Sequence, residues 1–189
     1  MKLNTQSTVY QLVLCALFAA LAAVGAFIKI PLPYVPITMQ ILFTTLAGII
    51  LGPKFGTISI AVYVAIGLCG IPVFTQGGGP WYVLKPSFGY LIGFIAGTFV
   101  TGLIAHTVAK PGFWRLLLAS LAGLMVIYFF GVLHLYLITA FYTGSYKGFW
   151  NLIYTGFIIF LPGDLISCAA CALLGKKLVP ILSRKKLAS

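Results

Sequence analysis

The chain has 189 residues, 61% of them hydrophobic and 7% charged, where a soluble domain carries about 25% charged residues. With a mean hydropathy of +1.12 it is an integral membrane protein, nearly every residue lying in or beside a bilayer. Twelve Lys and Arg face one acid, Asp164, for a net charge of +11; the cations stand singly or in small groups at the ends of apolar runs, as topology signals and lipid contacts do, and no basic stripe exists for nucleic acid.

Apolar runs long enough to form helices cover 9–28, 37–51, 55–73, 87–109, 116–142 and a last one between 149 and 174. A bilayer crossing takes about 20 apolar residues, so the second run is short and the fifth long. The first run is too long for a signal peptide and lacks a cleavage site, so it reads as a retained helix. The runs are separated by "KIPLPYVP", "GPKFG", "GGGPWYVLKP", "KPGFWR" and "TGSYKGF", all short and rich in Pro, Gly or aromatics. The expected fold is therefore all-α: one domain over 1–189, six transmembrane helices, both termini on the same side.

The charges choose that side. Lys2, Lys54, Lys110, Arg115, Lys176, Lys177, Arg184, Lys185 and Lys186 gather with the termini, against Lys29, Lys85 and Lys147 opposite. Cytoplasmic loops collect Lys and Arg, so the termini are expected in the cytoplasm and the stretch from Gly77 outside. In the last run, "FLPGDL" either kinks one helix or ends an entering segment and starts a new helix near Gly163. The second reading is preferred, since a helix from Gly163 still reaches the basic tail, and it sets Asp164 in a helix first turn.

Much chemistry is excluded. One carboxylate cannot make a paired general acid and base. No "GxxxxGK[ST]" phosphate loop is present, so ATP is not hydrolysed by that route. His106 and His134 stand alone on apolar runs, without metal-site spacing. Cys168 and Cys171 have thiol-redox spacing, but no nearby charge would activate them, and cysteine packs as a small hydrophobe. Neither an enzyme nor a resident cofactor is expected.

Three features remain. Asp164 is costly at membrane depth, and such a group marks a binding site, an ion path or a relay; it also suits a helix cap. Lys85 sits in a stiff aromatic stretch with Trp81, Tyr82, Ser87 and Tyr90, after Gly77, Gly78 and Gly79, which allow close backbone approach to a ligand or a helix. Alanines at 16, 19, 20 and 23 line a strip of the first helix, either for internal packing or for a partner subunit.

The segments "KIPLPYVPITMQ", "LGPKFG", "KPSFGY" and "FLPGDL" resemble the BioY family, the biotin-specific S components of energy-coupling-factor (ECF) transporters. The resemblance covers nearly the whole chain and is most specific around 38–40, 52–54, 89–94 and 162–165. It implies a six-helix fold with an outward-facing biotin site in the cell membrane. It also implies partners, a transmembrane coupling protein and two ATPases, with Ala16, Ala19, Ala20 and Ala23 as the docking strip. The substrate contacts expected are Asp164 and Asn151 on the ureido group, with Phe74, Trp81, Tyr82 and Tyr90 walling the rings. Lys85 and Ser87 would meet the carboxylate, and Gly78, Gly79 and Gln40 complete the set. The chain departs from the family in having "KPSFGY" for "GPTGGY" and Ser167 where a lysine is common, which suggests that Lys85 supplies the cation Ser167 lacks. Three other readings stay open: an ion-coupled carrier with Asp164 as proton relay, a membrane thiol oxidoreductase, and a structural scaffold that binds no vitamin.

Overall fold

In lipid every backbone N–H and C=O must be satisfied internally, so apolar runs of this length become helices. The computed structural model of the chain describes residues 5–32, 34–108, 110–142, 144 and 148–188, with side chains described between 9 and 181. Lys2 and Lys147, and the side chains of Arg184, Lys185 and Lys186, lie outside that part. In chain order come α1 (Thr5–Phe27), strands β1 (Lys29–Ile30) and β2 (Ile37–Thr38), α2 (Gln40–Leu68), a 3-10 turn (Pro80–Leu84), α3 (Phe88–Ala105), α4 (Phe113–Leu137), α5 (Phe149–Ile153) and α6 (Leu161–Ala188). π-helical turns extend α4 over Ile138–Tyr142 and α5 over Tyr154–Ile158. Among the described residues, five helical segments are long and apolar enough to span a bilayer: Val9–Phe27, Gln40–Leu68, Phe88–Ala105, Phe113–Tyr142 and Phe149–Ile181.

The second of these is not straight. Gly52 has φ 81 and ψ −179, a conformation that ends the helix, and Pro53 starts the next. The amide of Gln40 then lies 2.7 Å from the hydroxyl of Tyr63, although 23 residues of continuous helix would hold them roughly 35 Å apart. Gly56 confirms the reversal, since a Cβ on it would fall 2.8 Å from the Ala47 carbonyl. Residues 40–51 and 53–68 therefore form a helical hairpin turning at Gly52. The second and third apolar runs are its two arms, as the sequence divides them.

The arms pack on their neighbours through small and hydroxylic residues. α1 lies against α2, with the Ser59 hydroxyl donating to the Cys15 carbonyl at 2.6 Å. α3 sits between α2 and α4. Thr98 donates to the Thr44 carbonyl at 3.1 Å, and a Cβ on Gly93 would meet the Ile127 carbonyl at 2.7 Å. Lipid tails are as apolar as any side chain, so such close backbone approach and interhelical hydrogen bonds supply the attraction between helices. Leu12, Leu118, Met125, Phe129 and Ile166 are exposed on the outer surface, as lipid contact requires.

The last span follows the second alternative, with the new helix starting two residues before Gly163. Its backbone stays helical through Tyr154 and Ile159, with a turn at residues 159–160 before α6 begins at Leu161. The break thus comes just before Pro162 and not at Gly163. Pro162 lies in the first turn of α6, where a missing N–H is harmless. Asp164 falls in the same first turn, as expected. The two-stranded ladder of β1 and β2 forms a strap across the end of the bundle where α2 begins. The Gly52 turn lies at the opposite end, against the His106 ring.

Candidate functional site

Beneath the strap is a cavity with about 490 Å³ of empty space, part of it open to solvent. The strap contributes Val35, Pro36 and Thr38, and α2 contributes Gln40 and Ile41. Thr75 and Tyr82 come from the stretch between α2 and α3, with Ser87 and then Tyr90, Leu91 and Phe94 from α3. Tyr128 enters from α4, and Phe160 and Asp164 from the turn and the start of α6. The strap, the start of α2, the stretch before α3, and α3, α4 and α6 thus converge on one mostly apolar chamber.

Its polar groups are held in place. Asp164 is 3% exposed, and among the described residues its carboxylate is bonded by Tyr128 alone, whose hydroxyl donates to Oδ2 at 2.5 Å. Phe157 packs edge-on against the Tyr128 ring at 4.6 Å, fixing its direction. That leaves Oδ1 of Asp164 as an acceptor on a cavity-lining residue with no protein donor. An ionised carboxylate there needs further donors to offset its desolvation.

Tyr90 is braced twice. Its hydroxyl donates to the Gly156 carbonyl at 2.5 Å, in the π-helical turn, and its ring lies so close to Gly131 that a Cβ there would sit 2.6 Å from Cζ. Gln40 gives its amide N–H to Tyr63, which donates in turn to the Val73 carbonyl at 3.2 Å. At the opposite rim the Tyr82 hydroxyl lies 2.9 Å from the Thr75 hydroxyl and 3.2 Å from that of Ser87. These three form a row of groups that can donate or accept.

The structure separates the residues that the sequence singles out. Asp164, Tyr90, Tyr82, Ser87 and Gln40 line the cavity together. Phe74 lies one layer behind, its ring 4.6 Å from Tyr82 and 5.5 Å from Tyr63, and stiffens the wall without reaching the chamber. Gly78 and Gly79 serve helix packing: Gly79 donates its N–H to the Gly67 carbonyl at 2.7 Å, and a Cβ on Gly78 would collide with the Ile71 carbonyl. Trp81 is 81% exposed, pointing away from Tyr82 as adjacent positions in a tight helix do. Lys85 is exposed at the end of the 3-10 turn and Asn151 is exposed on α5, both outside the lining. On α1, Ala16 and Ala20 are exposed, Ala23 is half-buried and Ala19 is packed in the core.

Other lining residues carry little sequence signal. Tyr128 sits inside "LMVIYFF", where one more aromatic is unremarked, and the single clue is that a lone buried acid requires a donor. Thr75, Phe94 and Phe160 look like ordinary members of apolar or loop segments.

A partly open, largely apolar cavity with one under-bonded carboxylate, inside a multi-pass helical bundle, belongs to a membrane protein that binds a small molecule. The chain belongs to the BioY family, which its sequence matches over residues 1–184. It is 45% identical to a probable biotin transporter BioY of Lysinibacillus sphaericus, over 95% of this chain and 91% of that protein. It is 40% identical to the biotin transporter BioY of Thermotoga maritima, over 89% of this chain and 95% of the other. Its fold superposes with a TM-score of 0.80 and 28% identity on the crystal structure of the S component for biotin from an ECF-type ABC transporter, each chain covered over 94%.

Proposed function

We propose that this chain is the S component of an ECF transporter, binding biotin beneath the strap and carrying it across the plasma membrane. The observation that carries the reading is Asp164, a buried carboxylate on a small-molecule cavity with Oδ1 open, in a chain of the BioY family. Biotin supplies what the chamber lacks. Its ureido N–H groups donate to Asp164, and its fused rings fill the space between Tyr90, Leu91, Phe94 and Phe160. Its carboxylate tail runs toward the hydroxyls of Thr75, Tyr82 and Ser87. Gln40 closes the floor beside the ring end, and Phe74 supports Tyr82 from behind.

The hairpin at Gly52 makes six crossings of the five spans, which returns both termini to one face. The excess of Lys and Arg at the Gly52 end assigns that face to the cytoplasm and the strap to the outside. A C-terminal fluorescent-protein fusion is expected to glow while a phosphatase fusion at the same point stays inactive. The opposite pair of results would invert the topology.

With no phosphate loop in the sequence, the energy for transport comes from the coupling protein and its two ATPases. The exposed face of α1 at Ala16 and Ala20 offers a helix room for close approach. The reading is tested by uptake of labelled biotin in cells that cannot otherwise take it up, expressing this chain with an ECF module. Uptake that survives a protonophore at constant ATP supports the proposal, and collapse under that treatment favours an ion-coupled carrier. No uptake with the protein in the membrane would refute both.

A further inference from the structure

The biotin reading leaves the ligand's negative end without a charged partner. The residue that the sequence favours for it, Lys85, is exposed and outside the cavity lining. Lys29 is likewise exposed and outside the lining, but it is tied to residues that do line the cavity. It is the first residue of β1, directly opposite Thr38 in the antiparallel ladder. Paired residues of such a ladder project from the same face, and Thr38 lines the cavity. The Lys29 ammonium donates to the backbone carbonyl of Thr75, a lining residue from the stretch between α2 and α3. One long side chain thus ties the strap to Thr75, the residue at one end of the hydroxyl row of Thr75, Tyr82 and Ser87.

The electrostatics of that position are incomplete. The ammonium is held by a neutral carbonyl, and the only acid in the sequence, Asp164, bonds Tyr128 and not Lys29. The bond from an ammonium to a carbonyl is already charge-assisted, and a carboxylate in its place adds the attraction of a full opposite charge. An anion reaching the hydroxyl row would therefore draw Lys29 away from the Thr75 carbonyl.

We infer that Lys29 recognises the carboxylate of the bound ligand, exchanging the Thr75 carbonyl for it, and thereby selects acids over their neutral amides. This rests on the biotin reading and adds a specificity-determining residue to it. The exchange also closes the site: with the ligand bound, the strap is held through the ligand itself.

The test uses the purified full chain, titrated with biotin and with biotinamide, which keeps the rings and tail but not the charge. The wild type is expected to prefer biotin by about tenfold or more, the scale of one charge-assisted bond. Lys29→Ala should bring the two affinities within about twofold by weakening biotin while leaving biotinamide unchanged. Lys29→Arg should keep the preference, and Lys85→Ala should not alter it. If Lys29→Ala does not fold, Lys29→Gln retains a donor for the Thr75 carbonyl and answers the same question. A preference that persists in the alanine or glutamine variant overturns the inference, and so does one that collapses in Lys85→Ala. A wild type that binds biotin and biotinamide equally also overturns it. A folded wild type that binds neither refutes the biotin reading itself.

Discussion

Changing Asp164 to asparagine should weaken biotin binding by about ten- to a hundredfold without unfolding the protein. The substitution keeps the side-chain shape and removes the charge. Asp164 accepts from Tyr128 at 2.5 Å through Oδ2, and among the described residues no donor meets Oδ1. Asparagine has one acceptor in place of two. If its oxygen takes the Tyr128 hydroxyl, its NH2 faces the ligand and opposes the ureido donors. If it flips, the NH2 meets the hydroxyl of Tyr128, and that bond must be remade with the tyrosine as acceptor. In either orientation a charge-assisted bond worth about 1.5–3 kcal/mol is lost. The folded state should suffer little, because a neutral amide is easier to bury than a carboxylate. Calorimetric titration of purified wild-type and variant protein reads the affinity, and a melting curve on the same samples checks the fold. A variant that melts normally and binds biotin within about threefold of wild type would show that Asp164 does not bond the ureido group.

Two further substitutions probe the frame around the site. Gly131→Ala places a methyl against the Tyr90 ring, where Cζ lies 2.6 Å from the built Cβ; overpacking of this kind costs about 1–3 kcal/mol. Because the ring must move into the chamber, titration should show biotin binding weaker by about tenfold, and unchanged affinity would mean that Tyr90 does not wall the ligand. Replacing Cys168 and Cys171 together with alanine should leave binding within about twofold and lower the melting temperature by a few degrees. Both thiols are fully buried, and Cys171 donates to the Leu42 carbonyl at 3.2 Å, away from the cavity. Loss of transport in a variant that still binds would revive the thiol chemistry.

The helices were legible because lipid leaves the backbone no alternative, and the Gly52 turn because "GPKFG" combines a residue that accepts positive φ with one that starts a helix. Asp164 stood out for a similar reason, as a lone acid in an apolar chain whose preceding Pro–Gly opens a helix. The π-helical turns at Ile138–Tyr142 and Tyr154–Ile158 have no such marker, since they use the same apolar residues as the helices they extend. One of them nevertheless supplies the Gly156 carbonyl that holds Tyr90.

Within the site, reading by neighbourhood succeeded where the segment itself faces the chamber and misled where it turns. Trp81 and Tyr82 are adjacent in sequence, yet one is 81% exposed and the other 3%. Lys85 gained weight from its aromatic company, whereas Lys29 has none and reaches the rim only through a strand pairing and a contact 46 residues away. Tyr128 meets Asp164 across 36 residues. Such partners are set by how helices stack, which no local pattern encodes.

The most direct test of the account is a titration of the purified, ligand-stripped wild-type chain with biotin. The account predicts saturable binding of one biotin per chain with a dissociation constant on the order of nanomolar. A folded, monodisperse protein that shows no saturable binding of biotin would contradict it.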